Sequence, residues 1–254
     1  MDNKSKAHQI HDQDRDVLYQ ISLLQSLAYG DYDGSVTVKE LKRHGDIGIG
    51  TFNKLNGELI MLDGEVYRAS GDGSVETVSD DETIPFSVVT YMDPDETRSL
   101  GEIPDYTALC SELNQMVEDK GINRFYKIRI DGMFREVYVR SVYAQEKPYK
   151  RLTEVMEHDQ TFFNYENIAG TLVGLYCPPY MSGLNAPGWH MHFISKDKTR
   201  GGHVLGLNIA DAVLIWNDIS GLQIRLPQNK NFDRFDLTVD QSEDIKKIET
   251  NEYN

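Results

Sequence analysis

Short hydrophobic segments of strand length recur along this chain, and this pattern predicts a protein built mostly from β-strands. The segments with this pattern are residues 85–92, 170–177, 188–195, 203–207, 213–216 and 222–226. Residues 104–120 instead carry apolar residues at helical spacing and stop at Gly121, which predicts a helix. Residues 36–44 and 240–250 are predicted as shorter helices, whereas residues 18–24 fit a strand or a short helix equally well.

Two Asp-Gly pairs interrupt the strand pattern and predict tight hairpins. The predicted hairpins join residues 58–62 to 65–68 through Asp63-Gly64, and residues 124–130 to 134–142 through Asp131-Gly132. A two-residue type I′ turn needs positive φ at both positions, and Asp-Gly supplies this conformation. Because strands and hairpin signals dominate, we expect largely antiparallel or mixed sheets.

Composition narrows the function classes. The chain has 254 residues, with 41 Asp and Glu against 26 Lys and Arg, so the formal net charge is 26 − 41 = −15. An acidic surface repels phosphate groups, so we expect no nucleic-acid partner and no membrane docking. The two cysteines, Cys110 and Cys177, form neither a C-x-x-C pair nor a disulfide framework. With a polar N terminus and no apolar run near the roughly 20 residues that span a bilayer, we expect a soluble cytoplasmic protein.

The segment Gly188-Trp-His-Met-His-Phe-Ile194 is the most informative part of the sequence. In a strand, His190 and His192 project from the same face about 7 Å apart, and the apolar residues between them face the core. After a polar loop the chain resumes at His203, and an antiparallel return brings this third imidazole towards the first two. Three histidines on two neighbouring strands suit a divalent cation, since zinc commonly takes three protein ligands and leaves a position open.

The residues leave the metal's identity open, because three histidines with carboxylates also accept Mn²⁺, Co²⁺ or Ni²⁺. The glycine-rich segment 45–50 does not indicate a nucleotide site, since its spacing is the reverse of the dinucleotide fingerprint and an extended segment follows it. From the residues alone, Glu58 is expected at a solvated sheet edge and Arg140 on a solvated mixed face. Glutamates in the C-terminal tail would be frayed.

A series of motifs gives the chain a clear resemblance to the acetolactate decarboxylases, from about Leu18 to the C terminus. The motifs, in chain order, are GDIGIGTFNKLNGELI (45–60), DGEVYR (63–68), RIDGMF (129–134), QEKPY (145–149), GTLVG (170–174), GWHMHFI (188–194), GGHV (201–204) and RLP (225–227). Trp189 stands where a tyrosine is common in the family, and residues 175–187 match only loosely. Neither departure touches a matched ligand position.

The resemblance implies roles for particular residues. It implies that His190, His192 and His203 bind Zn²⁺, and that Glu58 and Arg140 line the same pocket. A C-terminal glutamate of the family matches Glu252 best, although Glu249 lies three residues earlier and either can reach a nearby site. These implications replace the solvated interpretations of Glu58, Arg140 and the tail.

The resemblance also implies a fold of the α/β type, α+β-like, with two domains. The larger N-terminal domain would hold a mixed β-sheet, and the smaller C-terminal domain an antiparallel β-sheet that carries the metal site. On this chain we expect a loose arm at residues 1–16, the first domain at 17–160 and the second at 161–254, with its tail returning to the site. The residues themselves mark a boundary only weakly, around 145–168.

The activity implied is decarboxylation of 2-acetolactate (2-hydroxy-2-methyl-3-oxobutanoate) to acetoin and CO₂ through a zinc-stabilised enediolate, as in acetoin biosynthesis and the butanediol pathway. Arg140 would bind the substrate carboxylate, and Glu58 and Glu252 would orient water and move protons. A homodimer is expected.

Two other functions are compatible with three zinc-binding histidines. One is a hydratase of the carbonic-anhydrase type, which uses a zinc-bound hydroxide. The other is a non-catalytic, cupin-like metal- or ligand-binding protein, which would have no need of Arg140 or a tail glutamate.

Overall fold

A computed structural model describes residues 15–250 of the chain. Most of the arm predicted at residues 1–16, and Glu252, therefore lie outside the described residues. The strands are β1 (Val17–Ile21), β2 (Val36–Thr37), β3 (Ile47–Thr51), β4 (Glu58–Leu62), β5 (Glu65–Ala69), β6 (Val75–Thr77), β7 (Thr83–Ile84), β8 (Phe86–Thr90), β9 (Glu96–Leu100), β10 (Phe125–Val142), β11 (Gln160–Cys177), β12 (Gly188–Ser195), β13 (Gly201–Ile219) and β14 (Gly221–Arg225). The helices are α1 (Leu24–Ala28), α2 (Val38–Leu41), α3 (Tyr106–Lys120), α4 (Leu152–His158) and α5 (Ser242–Thr250).

Two large sheets form the molecule, which confirms the prediction of a mostly β, α+β protein. The first has the strand order β14-β1-β8-β3-β4-β5-β6, and it is mixed because β1 and β14 run parallel. The second has the order β10-β11-β12-β13-β9 and is antiparallel throughout, and β10 also pairs with β13, so strands β10 to β13 close on themselves. The predicted boundary at residue 160 falls at the first residue of β11, a strand that pairs with β10 along its length.

The first predicted hairpin is confirmed. β4 and β5 pair antiparallel, and Asp63 and Gly64 between them have φ values of 53° and 79°. These are the two positive φ angles that a type I′ turn requires.

The second predicted hairpin is wrong. Residues 125–142 form one continuous strand, β10, and Asp131-Gly132 lies in its middle, paired with β11 on one side and β13 on the other. A Cβ built on Gly132 would lie 2.4 Å from the Asp211 carbonyl oxygen, so the glycine allows close approach of two strands rather than a turn. Pairing on both edges therefore overrides the local turn preference.

Other predicted elements differ mainly in extent. The predicted strands at 203–207 and 213–216 are parts of the single strand β13. Residues 18–24 contain both candidate elements, since β1 ends at Ile21 and α1 begins at Leu24. The predicted helix at 36–44 is shorter, because residues 36–37 form β2, and Thr37 caps α2 by accepting from the Glu40 amide.

The buried apolar residues form separate clusters, inside the second sheet, between the two sheets and among the helices. Met191 and Phe193 are fully buried inside the closed part of the second sheet, with Trp189 packed against the same cluster, as the alternation predicted. The opposite face of β11 and β12 packs on the first sheet, where Val173 and Ile60 share one apolar cluster. A further cluster joins α1, α4 and α5. No helix among residues 15–250 combines the length and apolar character needed to cross a bilayer.

Candidate metal centre

The three predicted histidines come together on the face of β12 and β13 that points towards the first sheet. His192 pairs directly with His203 across the two strands, and His190 lies two residues away on the same face. Gly202 permits this pairing because a Cβ there would lie 2.6 Å from the Arg140 carbonyl oxygen, and its φ is +149°. The antiparallel return expected from the sequence is therefore present.

Hydrogen bonds fix which ring nitrogens are free to bind a cation. His192 Nδ1 lies 2.9 Å from the Leu59 carbonyl oxygen, so Nδ1 carries the hydrogen and Nε2 keeps its lone pair. His203 Nε2 lies 3.2 Å from the Glu249 carbonyl oxygen, so here Nδ1 keeps the lone pair. His190 Nε2 lies 3.1 Å from both of these free nitrogens.

This convergence fits a bound divalent cation. Nitrogens about 2.05 Å from a tetrahedral zinc ion are about 3.3 Å apart, close to the observed spacing. His190 Nε2 can donate a hydrogen to only one neighbour, so without a cation at least two lone pairs would face each other. Within residues 15–250, these three histidines form the group whose ligand atoms all lie within 4.8 Å of one another.

The protonation states agree with metal binding. Burial, with the nearby Arg140 and Lys127 charges, lowers the pKa of His190 to about 3. Burial also places the pKa values of His192 and His203 well below the usual range. All three rings are therefore neutral near pH 7, which is the form that ligates metals.

Glu58 is buried beside the histidines rather than solvated. It begins β4, its side chain is 10 % exposed, and its Oε2 lies 3.5 Å from His192 Nε2. The turn before it is fixed by Gly57, with φ of +83°, whose carbonyl accepts from Thr51 Oγ1. Burial raises the pKa of Glu58 to about 8, against the opposing influence of Arg140. This carboxyl can therefore hold or release a proton near neutral pH.

Arg140 is also buried, at 2 % exposure, on β10 opposite His203. Its positive charge opposes the pKa increase of both Glu58 and Glu249, so the guanidinium acts on both carboxyls. Arg140 shares a face of β10 with Lys127, because a β-bulge near residues 134–136 shifts the alternation along the strand. The solvated settings expected from the residues alone are therefore wrong for Glu58 and Arg140.

The C-terminal helix α5 brings a second glutamate to the centre. Glu249 Oε2 lies 3.5 Å from His190 Nδ1 and 4.0 Å from His203 Nε2. Burial raises the pKa of this carboxyl to about 7, with Arg140 opposing the rise. Of the two tail glutamates considered from the sequence, Glu249 is the one within the described residues.

Apolar side chains from three helices complete the walls, and the sequence did not identify them. The cavity has a volume of about 50 Å³ and contains the histidines, Glu58, Arg140 and Glu249. Its helical walls include Leu24, Leu27, Leu152, Met156 and Ile248. The spacing of Leu152, Val155 and Met156 is helical and could have revealed α4. A larger neighbouring cavity of about 570 Å³, lined by α3, the start of β12 and α5, shares Glu249 with this one.

Comparisons with known proteins give a consistent result. The family model described as alpha-acetolactate decarboxylase matches residues 18–239. A protein of that name from Methanosarcina mazei is 42% identical over 237 residues, covering 92% of this chain and 80% of the relative. The Bacillus subtilis protein of the same name is 39% identical over 241 residues, covering 95% and 92%. The crystal structure of alpha-acetolactate decarboxylase from Bacillus subtilis strain 168 superposes with a TM-score of 0.88 at 36% identity, covering 92% of this chain and 99% of that one.

Proposed function

The chain belongs to the alpha-acetolactate decarboxylase family, and on that basis we propose that it converts 2-acetolactate to acetoin and CO₂ with a zinc ion held by His190, His192 and His203. The observation that carries the proposal is the convergence of three neutral ring nitrogens, two of them fixed by carbonyl acceptors. Residues that match the family motifs surround this point and lie in one cavity.

The substrate's chemistry explains why such a site is needed. 2-Acetolactate is a β-keto acid, so loss of CO₂ leaves an electron pair that the adjacent ketone accepts, giving an enediolate. A divalent cation, when bound, supplies a Lewis acid for the negative charge that develops on the substrate oxygens. The reaction therefore needs no thiamine or pyridoxal cofactor as an electron sink.

Arg140 is the proposed binding group for the substrate carboxylate. It is the cationic side chain among those that line the cavity, and it is buried on the same face as the histidines. A guanidinium presents paired donors to a planar carboxylate, and in a buried setting this interaction is strong. Arg140 therefore orients the carboxylate before CO₂ leaves.

Glu58 is the proposed proton-transfer group. Its Oε2 lies 3.5 Å from His192 Nε2, a nitrogen with a free lone pair, so the carboxyl faces the reacting region. Burial raises the pKa of this carboxyl and so favours its protonated form. It can therefore deliver a proton to the enediolate carbon and recover one from solvent.

The experiment that tests this function supplies purified protein with 2-acetolactate and measures acetoin, and separately measures CO₂ hydration. We expect stoichiometric acetoin and CO₂, with no hydration above the background rate. Hydration without acetoin release would instead assign the site to a hydratase. Zinc binding with neither activity would assign it to a binding protein.

A further inference from the structure

The cavity at the histidines is smaller than the proposed substrate. Its volume is about 50 Å³, whereas benzene, a smaller molecule than 2-acetolactate, occupies a protein cavity of roughly 150 Å³. The described residues that line the cavity are buried except His190 and Glu249, whose side chains are 11% and 17% exposed. The cavity therefore meets its surroundings at these two side chains, and the substrate needs space on that side.

The second sheet has a gap beside His190. β12 and β13 pair from Ile194 to His192, and the last pair of this ladder joins His192 to His203. Beyond that pair the two strands separate, because residues 188–191 continue along β11 whereas Val204 pairs with β10. The separation leaves an opening between the two strands at the level of the histidines.

The larger cavity, of about 570 Å³, lies at this opening. We name it the vestibule; its strand side is lined by Gly188, Trp189, Val204 and Leu205, and α3 and α5 form its other walls. Trp189 directly precedes His190 in the chain, and Val204 directly follows His203. The vestibule therefore borders the histidine cavity on the side where that cavity is partly exposed.

The wall formed by α3 is fixed to the start of β12. Trp189 Nε1 donates to Asn114 Oδ1, 3.0 Å away, and the Tyr106 hydroxyl lies 3.5 Å from the Trp189 carbonyl oxygen. On its other side α3 buries Leu109 and Leu113 completely in the core of the second sheet. The space between α3 and the strands is therefore held by packing and hydrogen bonds on both sides of the helix.

We propose that the vestibule is the passage through which 2-acetolactate reaches the histidines and acetoin leaves. The proposal rests on the proposed function, because it takes the histidine cavity as the reaction site. Trp189, Val204 and Ile245 give the passage apolar walls, which suit a substrate and a product that each carry two methyl groups. An obstruction in a passage slows entry and exit together, so it changes rates and leaves equilibrium affinity unaltered.

The test obstructs the vestibule in the folded, zinc-loaded protein. Cys110 lines the vestibule and is partly exposed, whereas Cys177 is 1% exposed, so thiosulfonate reagents should label Cys110 alone. A pyrene-bearing adduct should lower kcat/KM for 2-acetolactate at least about tenfold, a methylthio adduct less than about twofold, and a reductant should restore the original value. In the same samples the pyrene adduct should slow the removal of Zn²⁺ by a chelator, with the Zn²⁺ dissociation constant unchanged.

Two further comparisons control for the label. In a chain with Cys110→Ser and Ser111→Cys, the same adducts lie at an exposed position of α3 outside the vestibule, and both rates should stay normal. Leu205→Trp narrows the vestibule from the strand side without any label and should lower kcat/KM about threefold. Val213→Trp, at an exposed position of the same strand, is its matched control.

Two outcomes would overturn the passage. Normal acetoin formation and normal Zn²⁺ removal with the pyrene adduct, its attachment verified by mass spectrometry, would show that the histidines are reached by another route. Equal losses with the two adducts would do the same, because an obstruction depends on size. Slowed Zn²⁺ removal in a protein that forms no acetoin would support the passage and refute the proposed function, so the two failures are distinguishable.

Discussion

Two buried polar positions within residues 15–250, Lys127 and the histidine cluster, lie in the layer between the two sheets and differ in their surroundings. Leu175 on β11 pairs with Lys127 on one side and with His190 on the other, so Lys127 and the histidines lie in the same row of the second sheet. Both positions are closed to solvent, since Lys127 is 0% exposed and His192 is 1% exposed. Burial alone therefore does not separate them.

The regions differ in what surrounds the polar group. Lys127 Nζ has no hydrogen-bond partner among residues 15–250, and burial lowers the pKa of this amine to about 7. At the histidines, by contrast, groups from β4, β10, β12, β13 and α5 converge on one small cavity. Complementary groups that converge from several elements therefore distinguish the candidate site from a single buried charge.

The largest expected effect comes from removing a ligand. His192→Ala should abolish both bound zinc and acetoin formation, a loss of more than about 1,000-fold, because two remaining imidazoles hold the cation poorly. Metal content and acetoin release measure the two effects. His158→Ala is the control, since that side chain is 68% exposed and lies outside the cavity. A metal-free His192→Ala protein with full activity would show that the histidine cluster is not the site of the reaction.

The next largest effect on activity is expected at Arg140, the cationic group of the site. Arg140→Lys keeps the positive charge but loses the paired donors, so kcat/KM should fall by about 1,000-fold with zinc content unchanged. Steady-state kinetics and metal analysis on the same sample distinguish substrate binding from metal binding. Normal kinetics in the lysine variant would show that charge alone is sufficient there.

A smaller effect is expected at the proposed proton-transfer group. Glu58→Gln preserves shape and packing but cannot exchange a proton, so kcat should fall by about 100-fold while KM changes little. The thermal unfolding midpoint and the zinc content serve as controls. A large rise in KM with kcat intact would assign Glu58 to substrate binding instead.

The smallest effect on activity is expected at Lys127, where a substitution should also increase the stability of the fold. Its folded-state pKa of about 7 lies below the ordinary value of 10.5, so between these pH values the unfolded state binds more protons and the wild-type protein gains stability as pH rises. Lys127→Met should therefore raise the unfolding midpoint by about 5 °C at pH 6, and this advantage should shrink towards pH 10.

Acetoin formation in Lys127→Met should stay within about twofold of the wild type, because Lys127 is not among the residues that line the cavity. Lys230→Met, at an exposed position, is the control for adding a methionine. If Lys127→Met lost its activity while remaining folded, the second region would be part of the site after all.

Local signals in the sequence predicted part of this molecule. Strand alternation placed His190 and His192 on one face and Met191 on the other, and the glycine-ended loop predicted the return to His203. Asp63-Gly64 predicted its hairpin because β4 and β5 need only each other to form it. These features depend on neighbours within about 20 residues along the chain.

Other features depend on contacts between distant segments, which single-sequence patterns do not contain. Asp131-Gly132 has the same turn preference as Asp63-Gly64, but pairing with β11 and β13 keeps it extended. Glu58 and Arg140 are buried because the two sheets pack face to face, and no residue near them in the sequence reports this. The resemblance to the family implies their roles. The position of Glu249 depends on the packing of α5 against α1 and α4.

The central claim is that a cation held by three imidazoles enables the decarboxylation. The most direct test measures zinc content and acetoin formation on one preparation, before chelation, after chelation and after Zn²⁺ is restored. The account predicts about one zinc ion per chain, loss of acetoin formation with the metal, and recovery when Zn²⁺ returns. Undiminished acetoin formation by the metal-free protein would contradict it.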